Sequence, residues 1–99
     1  MKDNLIMSNI KHAHRRYIDP MLGTISGKGG ATIAYEVQKD GSVIYAVARC
    51  HTNDNFNKAQ GRVKSAGRLC SPRYRTLFNG DIQAFKNWVY TTPINMIGN

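Results

Sequence analysis

The chain has 99 residues, 41% of them hydrophobic and 20% charged, which allows one modest core, excludes a second domain and excludes the composition of an unfolded chain. Fourteen Lys and Arg stand against six acids, of which Glu36 is the one glutamate, for a formal charge of +8. Such a field is wrong for a cationic target and right for phosphate backbones, anionic membrane surfaces or acidic proteins, the plain alternative being a soluble basic protein with no polyanion partner.

In chain order, the first third is the least periodic. Leu5, Ile6, Ile10, Tyr17, Ile18, Met21, Leu22 and Ile25 fit neither a helix nor a strand cleanly. Residues 1–16 are therefore expected to be irregular or partly ordered, with short strands at 17–18 and 22–25 about an Asp19-Pro20 turn. Gly27-Lys28-Gly29-Gly30 reads as a flexible loop leading into the first clear strand. No apolar run followed by a small-residue cleavage site opens the chain, and no stretch is apolar enough to span a bilayer. With Cys50 and Cys70 the only cysteines, the expected setting is the reducing cytoplasm, where both stay reduced; one disulfide between them is the less favoured alternative.

A hairpin follows, over 31–38 and 43–50. Asp40-Gly41 between two β-branched and aromatic runs signals a two-residue type I′ turn. That turn would pair Val37 with Ile44, Tyr35 with Ala46 and Ile33 with Ala48, giving a core face of Ile33, Tyr35, Val37, Ile44, Ala46, Ala48 and Cys50. The reverse face, with Thr32, Glu36, Tyr45, Val47 and Arg49, would meet solvent or a partner.

Thr52-Asn53-Asp54 offers capping chemistry for a helix over 55–69, with Phe56, Ala59, Val63, Ala66 and Cys70 on one stripe and Lys58, Arg62, Lys64 and Arg68 on the other side. Gly67 is expected to let this helix approach the sheet. Gly61 is expected to face outward at a cost of about 1 kcal/mol in propensity, either for close contact with a ligand backbone or as neutral drift. Ser71-Pro72 ends the helix, Arg73-Tyr74-Arg75 forms a basic loop or short strand, and a second helix runs over 81–91. Asp81 caps it, Ile82, Phe85, Trp88 and Val89 are buried, Thr91-Thr92-Pro93 stops it, and 94–99 fray. The fold expected is a single α+β domain over 1–99, a small antiparallel sheet built on the central hairpin with both helices on one face.

Catalytic chemistry finds little support. The 23–30 glycine-rich segment has three residues rather than four between its glycines, lacks a hydroxyl after Lys28 and leads into a strand, so a phosphate-binding loop for nucleotide hydrolysis is rejected. A looser contact of Lys28 with a phosphate stays open beside a plain connector. Cys50-His51 lacks an orienting third group, and adjacent strand residues point apart. Cys50, His51, Cys70, His12 and His14 lack the paired spacing of a zinc site, leaving His12-x-His14 as a weak metal pair at most. No carboxylate pair suggests acid and base catalysis. The expectation is a protein that is not an enzyme and uses no cofactor and no metal.

Recognition remains. Residues 54–75 carry Lys58, Arg62, Lys64, Arg68, Arg73 and Arg75 with no acid after Asp54, and Lys11, His12, His14, Arg15 and Arg16 add to them. Arginine forks suit phosphates, and Tyr74 between two arginines can stack on an unpaired base. A solvated helix face is the ordinary explanation of a charge run, but such faces usually mix both signs.

Tyr45-Ala46-Val47-Ala48-Arg49-Cys50, then Asp54-Asn55-Phe56-Asn57-Lys58, Gly61-Arg62 and Gly67-Arg68-Leu69, give the 30–69 segment a resemblance to small accessory proteins of tailed bacteriophages. The resemblance implies a host-cell protein that redirects or disables nucleic-acid systems, including restriction and CRISPR defences. Two functions follow as expectations. The first is a binder of DNA, RNA or a host nucleoprotein complex through Lys58, Arg62, Lys64, Arg68, Arg73, Tyr74 and Arg75, with Lys28 and Tyr45 as further contacts. The second is a protein-directed inhibitor, of anti-CRISPR or anti-restriction type, docking on an acidic host surface through Tyr45, Tyr74 and Arg62. No membrane partner is expected, and the open sheet edge offers a route to a homodimer.

Overall fold

The computed structural model of the protein describes residues 9–97. Positions 1–8 of the expected irregular segment and 98–99 of the expected frayed end lie outside the described residues. The order is β1 (Lys11–Arg15), β2 (Lys28–Val37), β3 (Val43–Asn55), α1 (Lys58–Leu69), β4 (Thr76–Phe78), α2 (Ile82–Thr91) and a 3₁₀ turn, Ile94–Met96. The strands form one antiparallel sheet in the order β1-β2-β3-β4, so the α+β architecture is that expected from the sequence.

The hairpin register differs by one residue from the expected one. Val37 pairs with Val43, Tyr35 with Tyr45 and Ile33 with Val47. The cause is the turn. Gln38 and Ser42 close it, with Gln38 N donating to Ser42 O at 2.7 Å, so three residues rather than two form the loop. Gly41 alone takes a positive φ, +90°, whereas a type I′ turn would need Asp40 there too. Asp40 instead accepts hydrogen bonds from the Ser42 amide and hydroxyl.

Because side chains alternate, that slip divides the expected core face between the two sides of the sheet. Ile33, Tyr35, Val43 and Tyr45 turn to one side, where Phe85, Val89 and Ile97 cover them. Ala34 and Ala46 turn to the other, under Leu69. The two helices consequently lie on opposite faces, not on one: α2 on the first side and α1 on the second.

The α2 face is aromatic. Phe85 sits 5.0 Å from Tyr35, 5.5 Å from Tyr45 and 5.2 Å from Phe78 between ring centroids, and Tyr45 is 5.2 Å from Trp88. Such pairs add about 0.5–1.5 kcal/mol each beyond area burial. Asp81 accepts from the Ala84 amide at 2.9 Å and caps α2 as its sequence predicts.

Among the described residues, the first and last segments are better ordered than their composition suggests. Residues 11–15 are a strand, with Ala13 paired to Ile33 and buried. The expected strands at 17–18 and 22–25 reduce to a single bridge between Ile18 and Ile25. Ile97 is fully buried rather than frayed. Arg15 donates to the carbonyls of Val89 and Thr92, and Arg49 to those of Ile94 and Ile97. These two arginines reach carbonyls at and beyond the end of α2, which ties the C-terminal segment to the sheet. Gly29 and Gly30, expected in a flexible loop, are buried inside β2. A Cβ on Gly30 would come within 2.6 Å of the Phe56 ring.

Candidate nucleic-acid interface

The α1 helix is rotated relative to its hydrophobic pattern. It begins one residue after Asn57, whose side chain accepts from the Gln60 amide at 3.0 Å, so Asn57 and not 52–54 is the cap. Its buried residues are Ser65 and Leu69, while Val63 is 74% exposed and Ala59 lies in solvent. The reason is the surface it meets. Thr32, Ala34, Ala46 and Ala48 are short and buried, so the helix axis comes close and small residues must face the sheet.

Gly61 faces inward for that reason. A Cβ there would stand 2.2 Å from Thr32 Oγ1, whereas one on Gly67 would meet nothing within 4 Å. The expected roles of the two glycines are thus exchanged. Ser65 completes the seam by donating to the Gly61 carbonyl at 2.7 Å.

The four basic residues of α1 do not share one outward face. Arg62 carries its charge to His12 and His14 on β1, and Lys58 bears on His14. On the other flank Lys64 lines a cleft of about 190 Å³ with Arg49, Cys50, His51 and Asp54 of β3. Arg68 donates to the Val47 carbonyl at 2.8 Å on the same strand. Between the flanks, the ridge facing solvent is Ala59, Gln60, Val63 and Gly67, all exposed and uncharged.

The 73–75 loop extends the β3 flank. Ser71, Pro72, Arg73 and Tyr74 form a turn closed by Tyr74 N donating to Ser71 O at 3.0 Å, with proline at its favoured second position. Tyr74 is 55% exposed and lies between the guanidinium groups of Arg68 and Arg73, at 5.9 and 5.8 Å from its ring centre. With Arg75 these residues border a cleft of about 410 Å³ along the uncovered part of the β3 edge.

On the β1 flank, His12, His14 and Arg16 alternate along one side of the strand. His14 Nδ1 lies 2.9 Å from Thr32 Oγ1, and Arg16 stacks 4.6 Å over the Phe56 ring. His12 Nε2 and Arg16 Nε are buried with no hydrogen-bond partner among the described residues. Burial lowers the pKa of both histidines; at His12 a hydrogen bond to the Arg62 backbone opposes this and the Arg62 charge adds to it, while at His14 the charges of Lys58, Arg62 and Arg16 push the same way as burial. Both imidazoles are therefore neutral near pH 7, and the fixed charge of this flank comes from Arg16, Lys58 and Arg62.

Of the nine residues selected from sequence, Arg68, Arg73, Tyr74 and Arg75 come together, Lys64 lies on the same side, and Lys58 and Arg62 lie across the ridge. Lys28 stands at the start of β2 opposite Asn55 and lines neither cleft. Tyr45 is 8% exposed and its ring belongs to the aromatic core, while it also lines the cleft of about 410 Å³ with Arg68, Arg73, Tyr74 and Arg75. Its burial follows from the register. His14 and Arg16, which the sequence adds to the cationic run, border the β1 flank, and Arg49, expected on the reverse face of the hairpin, lines both clefts on the β3 side.

Among the described residues, the arginine hydrogen bonds run to main-chain carbonyls rather than to carboxylates. No disulfide joins Cys50 and Cys70, and the Cys50 thiol lies 3.4 Å from the Asn55 carbonyl. No cluster of three His, Cys, Asp or Glu suited to a metal occurs among the described residues. No described helix is long and apolar enough to cross a membrane. The arrangement is that of a small α+β domain presenting one helix between two cationic flanks. Comparison with protein-family models, curated proteins and solved structures finds no match in any of the three.

Proposed function

We propose that the protein binds double-stranded DNA, with α1 lying in the major groove. The observation carrying this is the division of Lys58 and Arg62 from Lys64 and Arg68 by an uncharged ridge. A major groove about 12 Å wide admits one α-helix and has a phosphate backbone on each side, the charge pattern these two flanks complement. The deep, narrow major groove of duplex RNA does not admit a helix, which favours DNA over RNA. Arg73 and Arg75 lengthen one flank, and Gln60 on the ridge is a side chain able to read adenine. The resemblance to phage accessory proteins adds a setting, in which occupation of DNA or of a nucleoprotein complex counters a host defence system.

Titration of labelled duplex DNA, duplex RNA and single-stranded DNA at several salt concentrations tests this. Affinity for duplex DNA should exceed the other two and fall steeply with salt. A Lys58→Ala/Lys64→Ala protein should show a salt slope shallower by about 2, close to one unit for each phosphate no longer neutralised. Equal affinity for single strands would sink the groove-bound helix, and affinity indifferent to salt would remove nucleic-acid binding altogether.

A further inference from the structure

Residues 17–26 form a small hairpin that leads away from the sheet. The Ile18 and Ile25 bridge, the Asp19 amide on the Thr24 carbonyl at 2.7 Å and the Gly23 amide on the Asp19 carbonyl at 2.7 Å hold it. Asp19 also accepts from the amides of Met21 and Leu22, so its carboxylate is committed to the turn. This ordered tip puts Ile18, Met21, Leu22 and Ile25 in solvent at 58, 90, 73 and 61% exposure. Four large apolar side chains on one turn are a patch rather than scattered surface residues.

The hairpin feeds the first residue of β2, and the other end of that ten-residue strand, roughly 33 Å away, carries a second apolar feature. There Val37, Ile44 and Leu77 line an open groove of about 1080 Å³, with Val37 42% and Leu77 65% exposed. Glu36 and Asp40 lie in this groove beside Lys39 and Arg75, so four opposed charges cancel in a molecule whose total is +8. The tip is bordered instead by Arg16 and Lys28. A positively charged copy meets least repulsion at the neutral end, and its apolar tip finds apolar lining there.

We infer that copies of this chain associate head to tail, the 17–26 tip of one seated in the Val37, Ile44 and Leu77 groove of the next. The two surfaces differ, so the contact is heterologous and extends into open chains or closes into rings, unlike the edge-paired homodimer expected from sequence. It draws on none of the α1 cations; Arg75 alone borders both the groove and the proposed DNA flank, and the variants below leave it in place.

Sedimentation velocity over roughly 10 μM to 1 mM protein should show the weight-average mass rising above the 11.1 kDa of one chain. Met21→Asp and Leu77→Asp change exposed positions, and unchanged circular dichroism melts would show that both variants fold. Each alone should remain a monomer, because each keeps one working end. An equimolar mixture of the two should form a 1:1 dimer and grow no further. Wild-type protein that is monomeric throughout overturns the inference, as does a mixture that stays monomeric. A Leu77→Asp protein that still dimerises overturns it too, since tip would then meet tip. A monomeric wild type that loses binding to anionic vesicles on Met21→Asp assigns the tip to a lipid surface instead.

Discussion

The two faces of the sheet are covered by helices of similar length yet held by different means. Under α2, Phe85 and Val89 press into Tyr35, Tyr45 and Ile33, with Phe78 and Trp88 closing the sides. Under α1, Leu69 rests on Ala34 and Ala46, and the rest of the seam is Gly61 against Thr32 with Ser65 buried and bonded back to the Gly61 carbonyl. The first face gains stability from large buried rings, each contributing roughly 1.5–3 kcal/mol on burial. The second brings a helix close to the sheet with little apolar mass, leaving its sides to cations and its outer ridge uncharged. If the proposed DNA contact holds, stability and recognition fall to opposite faces.

The widest separation between the faces should come from Phe85→Ala. Phe85 is fully buried and touches four other aromatic rings, so its loss should cost about 3–5 kcal/mol. Chemical denaturation measures this. A loss under about 1 kcal/mol would mean that the aromatic face does not dominate the fold.

How much of this division was legible depends on the residue pattern. The α2 helix was legible because Ile82, Phe85, Trp88 and Val89 recur at spacings of three and four after a capping Asp81. The hairpin was legible as a hairpin but not in register, because Asp40-Gly41 does not reveal whether two or three residues turn; hydrogen bonds from Ser42 to Asp40 select three. That one-residue slip accounts both for assigning Tyr45 to the surface and for placing both helices on one face. The buried side of α1 was not legible because its partner surface is alanine and threonine, which rewards Gly61 and Ser65 over Val63. The candidate site was legible as a set of cations, not as two flanks, since their division follows from that rotation.

Gly61→Ala tests the close seam on the α1 face. Alanine is the better helix former by about 1 kcal/mol, so propensity alone predicts stabilisation. A Cβ 2.2 Å from Thr32 Oγ1 predicts the reverse, a loss of about 1–3 kcal/mol as the helix is pushed off the sheet. Combining Gly61→Ala with Thr32→Ala should recover part of the loss, because the clashing atoms are removed together. A stabilised single variant would show that α1 does not sit this close.

The helix caps give a smaller contrast. Asp81→Ala and Asn57→Ala each remove one side-chain acceptor from a helix amide, at about 1 kcal/mol apiece. Asn57 should also matter to binding, since a frayed first turn displaces Lys58, whereas Asp81 should affect stability alone. Denaturation midpoints and duplex DNA affinity measured on both variants separate the effects; an Asp81→Ala protein that loses affinity at unchanged stability would contradict the assignment of the faces.

The smallest effect expected is that of pH, and it too belongs to the α1 face. His12 and His14 both have pKa values below the ordinary 6.5, through burial first, reinforced at His14 by the charges of Lys58 and Arg62 and partly opposed at His12 by a hydrogen bond to the Arg62 backbone. The folded protein therefore holds fewer protons than the unfolded chain in the window just below 6.5. Stability is fully present above that value and declines as the pH falls through it toward the depressed folded values. The carboxyl of Asp40, held low by Ser42, titrates beneath this window and does not mask it. Tm should thus decrease between about pH 7 and about pH 5, and His12→Gln/His14→Gln should flatten the change. Phosphates beside Arg62 would favour the imidazolium forms, so duplex affinity should rise over the same interval while stability falls. Opposite signs in the two measurements locate the histidines at the interface; affinity that falls together with Tm would confine them to a structural role.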